Sequence, residues 1–242
     1  MKRSRAVKKP WLFLRIAIVG ILLLVLSSVA WSSFPVDKGT VWVYQGKVAW
    51  QGENSEEVQE KNISWQVEVI ESVERGGIHA SLILGFPLDL VFYENGKQPG
   101  NYVIIQAGGT HYYLVFPTRA DEVWKRILDQ EDPLVDLVNE SELFLDYPFV
   151  VGKTYGESAQ ITREDQYYVW LVSHETVETF QMKGISPQSK YTNYQLLYRT
   201  NSDDTTIDIV PEIGITRFQY NHHGTTSEVD LKLIEFRPAK RH

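Results

Sequence analysis

The chain has 242 residues, 43% hydrophobic and 12% aromatic, with no cysteine, so no disulfide supports the fold and a hydrophobic core must. The formal charge of −7 hides a division. The first 30 residues hold six of the 24 Lys and Arg and none of the 31 Asp and Glu, which leaves −13 on the remainder. So acidic a body repels nucleic acid and anionic lipid surfaces, and nucleic-acid binding is excluded as a function class.

Residues 1–10 form a basic segment with Lys2, Arg3, Arg5, Lys8 and Lys9, and residues 11–31, WLFLRIAIVGILLLVLSSVAW, follow. The stretch from Ile16 to Ala30 is uninterrupted apolar or small residues and is expected to enter a bilayer, with the basic cluster on the cytoplasmic side. Two readings fit it. A transmembrane anchor needs roughly 20 apolar residues, which Trp11 to Trp31 supplies if Arg15 snorkels to the headgroups. A signal peptide needs small residues before its cut, which Ser28-Val29-Ala30 supplies, with cleavage after Ala30. The expected location is therefore the cell membrane, single-pass with the C-terminal domain outside the cytoplasm, or secretion after cleavage.

Residues 32–39 read as a linker, and residues 40–237 as one extracytoplasmic β domain. Thr40 to Trp50 is rich in Val, Trp and Tyr, which fit a pleated surface. Ile63, Trp65, Val67 and Val69 alternate with polar residues, Gly76-Gly77 turns the chain, and Ile78, Ala80, Leu82 and Leu84 alternate on the return. That pattern predicts a hairpin. Leu88 to Tyr93, Tyr102 to Gln106 and His111 to Phe116 are expected to be further strands, parted by Asn95-Gly96 and Gly108-Gly109.

One helical arm, residues 119–140, interrupts the strands. Ala120, Val123, Trp124, Ile127 and Leu128 make one apolar stripe, with Thr118 as cap and Asp121 in the capping-box position. A second short helix is expected from Asp132, with Pro133 at its first position. The arm either plugs an open end or face of a sheet or acts as a lid. Strands then resume over Tyr167 to Phe180, Tyr194 to Arg199, Thr205 to Val210, Ile215 to Asn221 and Ser227 to Phe236, with a polar loop at 181–193. Spacings near ten residues predict a mainly β fold: a curved antiparallel sheet, either half-barrel or two-sheet sandwich, with a short helical arm. A faint similarity between the start of residues 40–116 and that of 147–237 allows two halves joined by the arm.

Chemical motifs fail on inspection. Gly152-Lys153-Thr154 lacks the Gly five residues earlier that a phosphate loop needs, where Tyr147 stands, and a strand follows it. No G-x-S-x-G nucleophile elbow is present. Adjacent strand residues point to opposite faces, so His222 and His223 are not expected to share a metal. Asp203-Asp204 lacks the spaced ligands of a calcium loop. No catalytic residue, metal or cofactor is therefore assigned. The candidate ligand-binding residues are Trp124, Tyr168, Trp170, Tyr194 and Tyr198, rings that would suit an apolar cleft, with Tyr168 and Trp170 read as sharing a strand face.

Pro211 to Tyr220, followed by Ser227 to Leu231, with Asp146-Tyr147-Pro148 leading to Gly152-Lys153-Thr154-Tyr155, resembles exported bacterial all-β proteins of unknown function. More distantly, the expected curved sheet with helices is similar to the lipoprotein-carrier (Lol-type) half-barrel, and that resemblance implies acyl-chain binding. The chain lacks the lipid-anchoring Cys of the lipoprotein members. The expected function is a non-enzymatic envelope module, reaching the membrane through residues 11–31 and binding a lipid, another hydrophobic ligand or an envelope protein. The alternative is an envelope-polymer hydrolase using carboxylates or His222 and His223.

Overall fold

Among the described residues the chain forms twelve strands, most of them alternating apolar and polar side chains: β1 (Val41–Gln51), β2 (Val58–Arg75), β3 (Ile78–Leu84), β4 (Asn101–Ala107), β5 (His111–Val115), β6 (Glu142–Asp146), β7 (Thr154–Tyr155), β8 (Trp170–Glu178), β9 (Tyr191–Arg199), β10 (Asp203–Val210), β11 (Gly214–His222) and β12 (Ser227–Arg237). The computed structural model describes residues 34–52, 57–156 and 167–240. The anchor or signal reading of residues 11–31 lies outside them. Among the described residues no helix is long and apolar enough to cross a membrane.

Every strand pairs antiparallel with its neighbours in one sheet, of order β6-β5-β4-β3-β2-β1-β12-β11-β10-β9-β8-β7. The first and last strands lie side by side, Val41 opposite Arg237 and Trp50 opposite Ser227. That single long-range pairing converts two six-stranded meanders into a nearly closed barrel. Of the two architectures left open by the sequence, the curved single sheet is the one formed.

The remaining edges, β6 and β7, are consecutive in sequence, and side chains bridge them. The Tyr155 hydroxyl donates to the carbonyl of Phe144 at 3.0 Å. Lys153 Nζ donates to the carbonyls of Asp146 and Pro148 and pairs with the Asp146 carboxylate at 3.0 Å.

Barrel diameter grows with strand number, and twelve strands enclose more lumen than wall side chains fill. The β3–β4 loop enters that space. Residues 88–93, expected as a strand, instead form a 3-10 turn (Pro87–Leu90) and an inward bend that buries Phe86, Leu90 and Tyr93. Pro87 opens this turn, its fixed φ suiting a first helical position, so the chain bends where the strand was expected to begin. Gly85, at φ +83°, lets the chain leave β3, and a Cβ there would sit 2.5 Å from the carbonyl oxygen of Gln66. Asp89 clamps the loop, accepting from Gly100 N at 2.8 Å and Tyr102 OH at 3.0 Å. Burial pushes the Asp89 carboxyl upward, against these two bonds and the charge of Lys97.

The far end of the lumen is closed by a chain of rings: Tyr194, Phe149, Tyr147, Tyr112, Phe34, Trp42 and Phe236, with successive centroids 4.3 to 6.1 Å apart. Phe34 and Val36, within the stretch read as a linker, are part of this core. Phe180, Met182 and Ile185 of the β8–β9 loop pack against it as well, and Lys183 bridges to Glu235 of β12.

The helix α1 (Pro117–Leu128) lies on the other face of the wall. Tyr102 and Ile104 of β4 point into the lumen, whereas Val103 and Ile105 meet Ala120, Val123, Trp124 and Ile127 outside. It covers a sheet face. Phe116 occupies the N-cap position with Pro117 at the first helical position, and no side chain caps the end, so Thr118 does not take the expected role. Arg75, from the far end of β2, donates to the terminal helix carbonyls of Arg126 and Ile127, where a cation is favoured. The second helix expected from Asp132 is a 3-10 turn over Leu137–Glu140. Asp132 instead binds Arg126 and the N–H of Leu134.

Candidate functional site

At the end of the barrel opposite the closing rings, strand ends and the inserted loop leave an apolar cavity of about 140 Å³. β5 and its exit contribute Leu114 and Phe116, and the loop contributes Phe86 and Leu88. β6 contributes Glu142 and Phe144, β8 and β9 contribute Trp170 and Tyr198, and Thr205, Ile207 and Phe218 complete the wall. A second arc of rings runs along it: Tyr198 to Trp170 at 5.1 Å, Trp170 to Phe144 at 5.8 Å, Phe144 to Phe86 at 5.5 Å. Glu142 is exposed at the mouth, whereas Phe86, Leu114 and Phe218 are buried. The cavity therefore grades from a polar rim to an apolar floor. It also sits at the seam, between Phe144 on one sheet edge and Trp170 beside the other, with Tyr155 stacked on Trp170 at 6.5 Å. Burial raises the Tyr155 hydroxyl well above its ordinary pKa, so it stays a neutral donor to the seam.

Of the five candidate residues, the fold brings two together here, Trp170 and Tyr198, which face each other across β8 and β9 as register partners. The other three lie elsewhere. Tyr194 meets Phe149 at 5.3 Å in the opposite arc. Tyr168 precedes β8 with φ 60°, outside the strand alternation that was to pair it with Trp170, and its N–H donates to the carbonyl of Arg199. Trp124, on the buried face of α1, is 7% exposed and packs against the outer face of the wall. Sequence reading missed Phe86, Leu114, Phe144, Ile207 and Phe218. Pro87 and Pro99, which bracket the inserted loop and deny it a strand, were the available signal for Phe86.

The histidines form a polar corner at the same end of the barrel. Asp203 accepts from Tyr220 OH, Ser202 Oγ and Thr200 Oγ1, and its Oδ1 lies 2.7 Å from His222 Nδ1. Burial raises this carboxyl, but the four bonds outweigh it and hold the group well below the carboxylate range. Phe92, exposed and at φ 50°, lies edge-on to His222 and Tyr220. His223 turns to Asp204 at 3.0 Å. Among the described residues no group of three His, Cys, Asp or Glu is placed to hold a metal.

No family model and no curated protein matches this chain. Two solved structures are similar to it. One is a Bacteroides fragilis protein described as exported and of YmcC-like fold, at 12% identity and TM-score 0.40, covering 85% of this chain and 98% of that one. The other is a Parabacteroides distasonis protein described as a lipoprotein, at 13% identity and TM-score 0.36, covering 84% of this chain and 97% of that one.

An outer recess of about 430 Å³ is lined by Glu60, Asp204, Glu228 and Asp230 with Lys47. Three of these carboxylates are engaged: Glu60 with Lys47 at 2.5 Å, Asp204 with His223, and Asp230 with both Nε and Nη2 of Arg217. Such pairs brace a surface. A general acid instead needs a carboxyl raised by an apolar setting.

Proposed function

We propose that this chain is an extracytoplasmic envelope module, exported through or held by residues 11–31, whose barrel body binds a hydrophobic ligand and performs no chemistry. The observation that carries this reading is the apolar cavity between Phe86 and Trp170. A cavity of roughly 150 Å³ lined by Leu, Ile and Phe takes up benzene, so this one accommodates about six carbons. Six buried methylenes contribute about 5 kcal/mol, and association costs at least about 4 kcal/mol. The balance is small. A ligand confined to the cavity would bind feebly, whereas an amphiphile anchored there by one chain end gains further contacts at the rim. A membrane lipid has that form.

Native mass spectrometry of protein extracted from its own membrane tests the reading. The expected result is a co-purified lipid, lost from Ile207→Phe protein, in which the added ring fills the cavity. A wild-type protein free of adducts contradicts it.

A further inference from the structure

The floor of the cavity is one ring. Phe86 is 2% exposed and lines the cavity from the lumen side, and it also lines a separate void of about 10 Å³. That void lies among Phe34, Trp42, Tyr44, Val67 and Ile83, in the direction of the ring-closed end. Mouth, cavity, Phe86 and void therefore follow one another into the barrel. Such a succession suits an unbranched chain, which extends by one methylene at a time. A fused ring system needs breadth instead.

Phe86 is also held in place. It contacts Tyr102 at 5.4 Å and Phe144 at 5.5 Å. Its backbone is pinned on the Gly85 side, where Trp65 Nε1 donates to the Gly85 carbonyl at 2.6 Å and Gly85 N donates to Gly100 O at 2.9 Å. The loop base is thus anchored independently of the ring, and the depth of the cavity depends on the Phe86 side chain.

Resting on the ligand-binding reading above, we propose that the ligand is an unbranched alkyl chain and that Phe86 sets the length of chain the barrel accepts. Chain atoms beyond about six carbons meet the ring and stay outside. Removing the ring joins cavity and void, and the chain then reaches toward Trp42 and Tyr44.

The test uses n-alkyl maltosides of two to fourteen carbons, each below its micelle concentration, titrated into the wild-type protein and into Phe86→Ala and Phe86→Leu. Affinity should rise about fourfold per added methylene while the cavity fills, then level off. In Phe86→Ala the break should move outward by about three carbons, strengthening the dodecyl maltoside about fiftyfold, with Phe86→Leu between the two. If Phe86→Ala does not fold, Phe86→Leu alone decides by the position of its break. An identical break in wild type and variants overturns the role of Phe86 and leaves ligand binding standing. A wild-type protein that binds no member of the series overturns the ligand-binding reading, and this proposal with it.

Discussion

Gly46→Ala is expected to destabilise the protein by more than about 3 kcal/mol. A Cβ at this position would stand 1.9 Å from the carbonyl oxygen of Asp230 and 2.9 Å from the Cα of Leu231. Both are backbone atoms of β12, so no rotamer change relieves the overlap. The two strands must separate at this point of the ladder. This is the junction at which the two meanders meet, with Gly46 opposite Leu231 in the register and a bulge after Val43. Opening it exposes the lumen residues Tyr44, Val48, Val229 and Leu231 together. Chemical denaturation monitored by tryptophan fluorescence reads the loss directly. Gln45→Ala, on the exposed face of the same strand, should stay within about 0.5 kcal/mol of wild type. Equal stability of Gly46→Ala and wild type would mean that β1 and β12 are not in contact here.

Asp203→Ala should cost about 3 kcal/mol at neutral pH, because the carboxylate collects Tyr220, His222, Ser202 and Thr200. For a chain of this size that corresponds to a fall in Tm of about 6–12 °C. The pH dependence separates this bond set from simple loss of packing. The Asp203 carboxyl is held below its unfolded value, so its contribution is complete above about pH 4 and is lost as pH falls through the folded value. Asp89 has the opposite sign: burial raises it, so its contribution is greatest in acid and declines as pH rises through its folded value. Wild type and Asp203→Ala should therefore converge in strong acid. A gap of the same size at every pH would show that the charge of Asp203 plays no part.

Much of the wall was legible, because strand alternation is a local signal. The β2–β3 hairpin turns at Gly76-Gly77, with Arg75 opposite Ile78, and the apolar stripe from Ala120 to Ile127 is the buried face of α1. What local pattern cannot convey is which wall a stripe meets. Trp124 has the right periodicity and still lies outside the lumen, because β4 and β5 are apolar on both faces. The inserted loop misled for a similar reason. Leu88, Leu90, Val91 and Tyr93 are as apolar as a strand, but burial by insertion requires no alternation. Closure was hidden altogether, since β1 and β12 are separated by almost the whole chain.

The cavity shows the same limit. Its wall is assembled from β5, β6, β8, β9, β10, β11 and the inserted loop, and apart from the rings of β8 and β9 nothing in the sequence marks these segments as converging. Trp170 and Tyr198 were nominated because both are large rings in strands with clear alternation, and the fold places both on this wall. Tyr194 and Tyr198 share a face of β9, yet one closes the sealed end of the barrel and the other lines its open end. Position along a strand, which depends on the register of the whole ring, decides which.

A crystal of the body grown with a neutral alkyl glycoside carrying a terminal bromine tests the central claim most directly. Anomalous diffraction should place the bromine between Phe86, Phe144 and Trp170, with the sugar outside the mouth near Glu142. Bromine found only on the outer face, with unchanged side chains around Phe86, would contradict the assignment of this barrel as a chain-binding module.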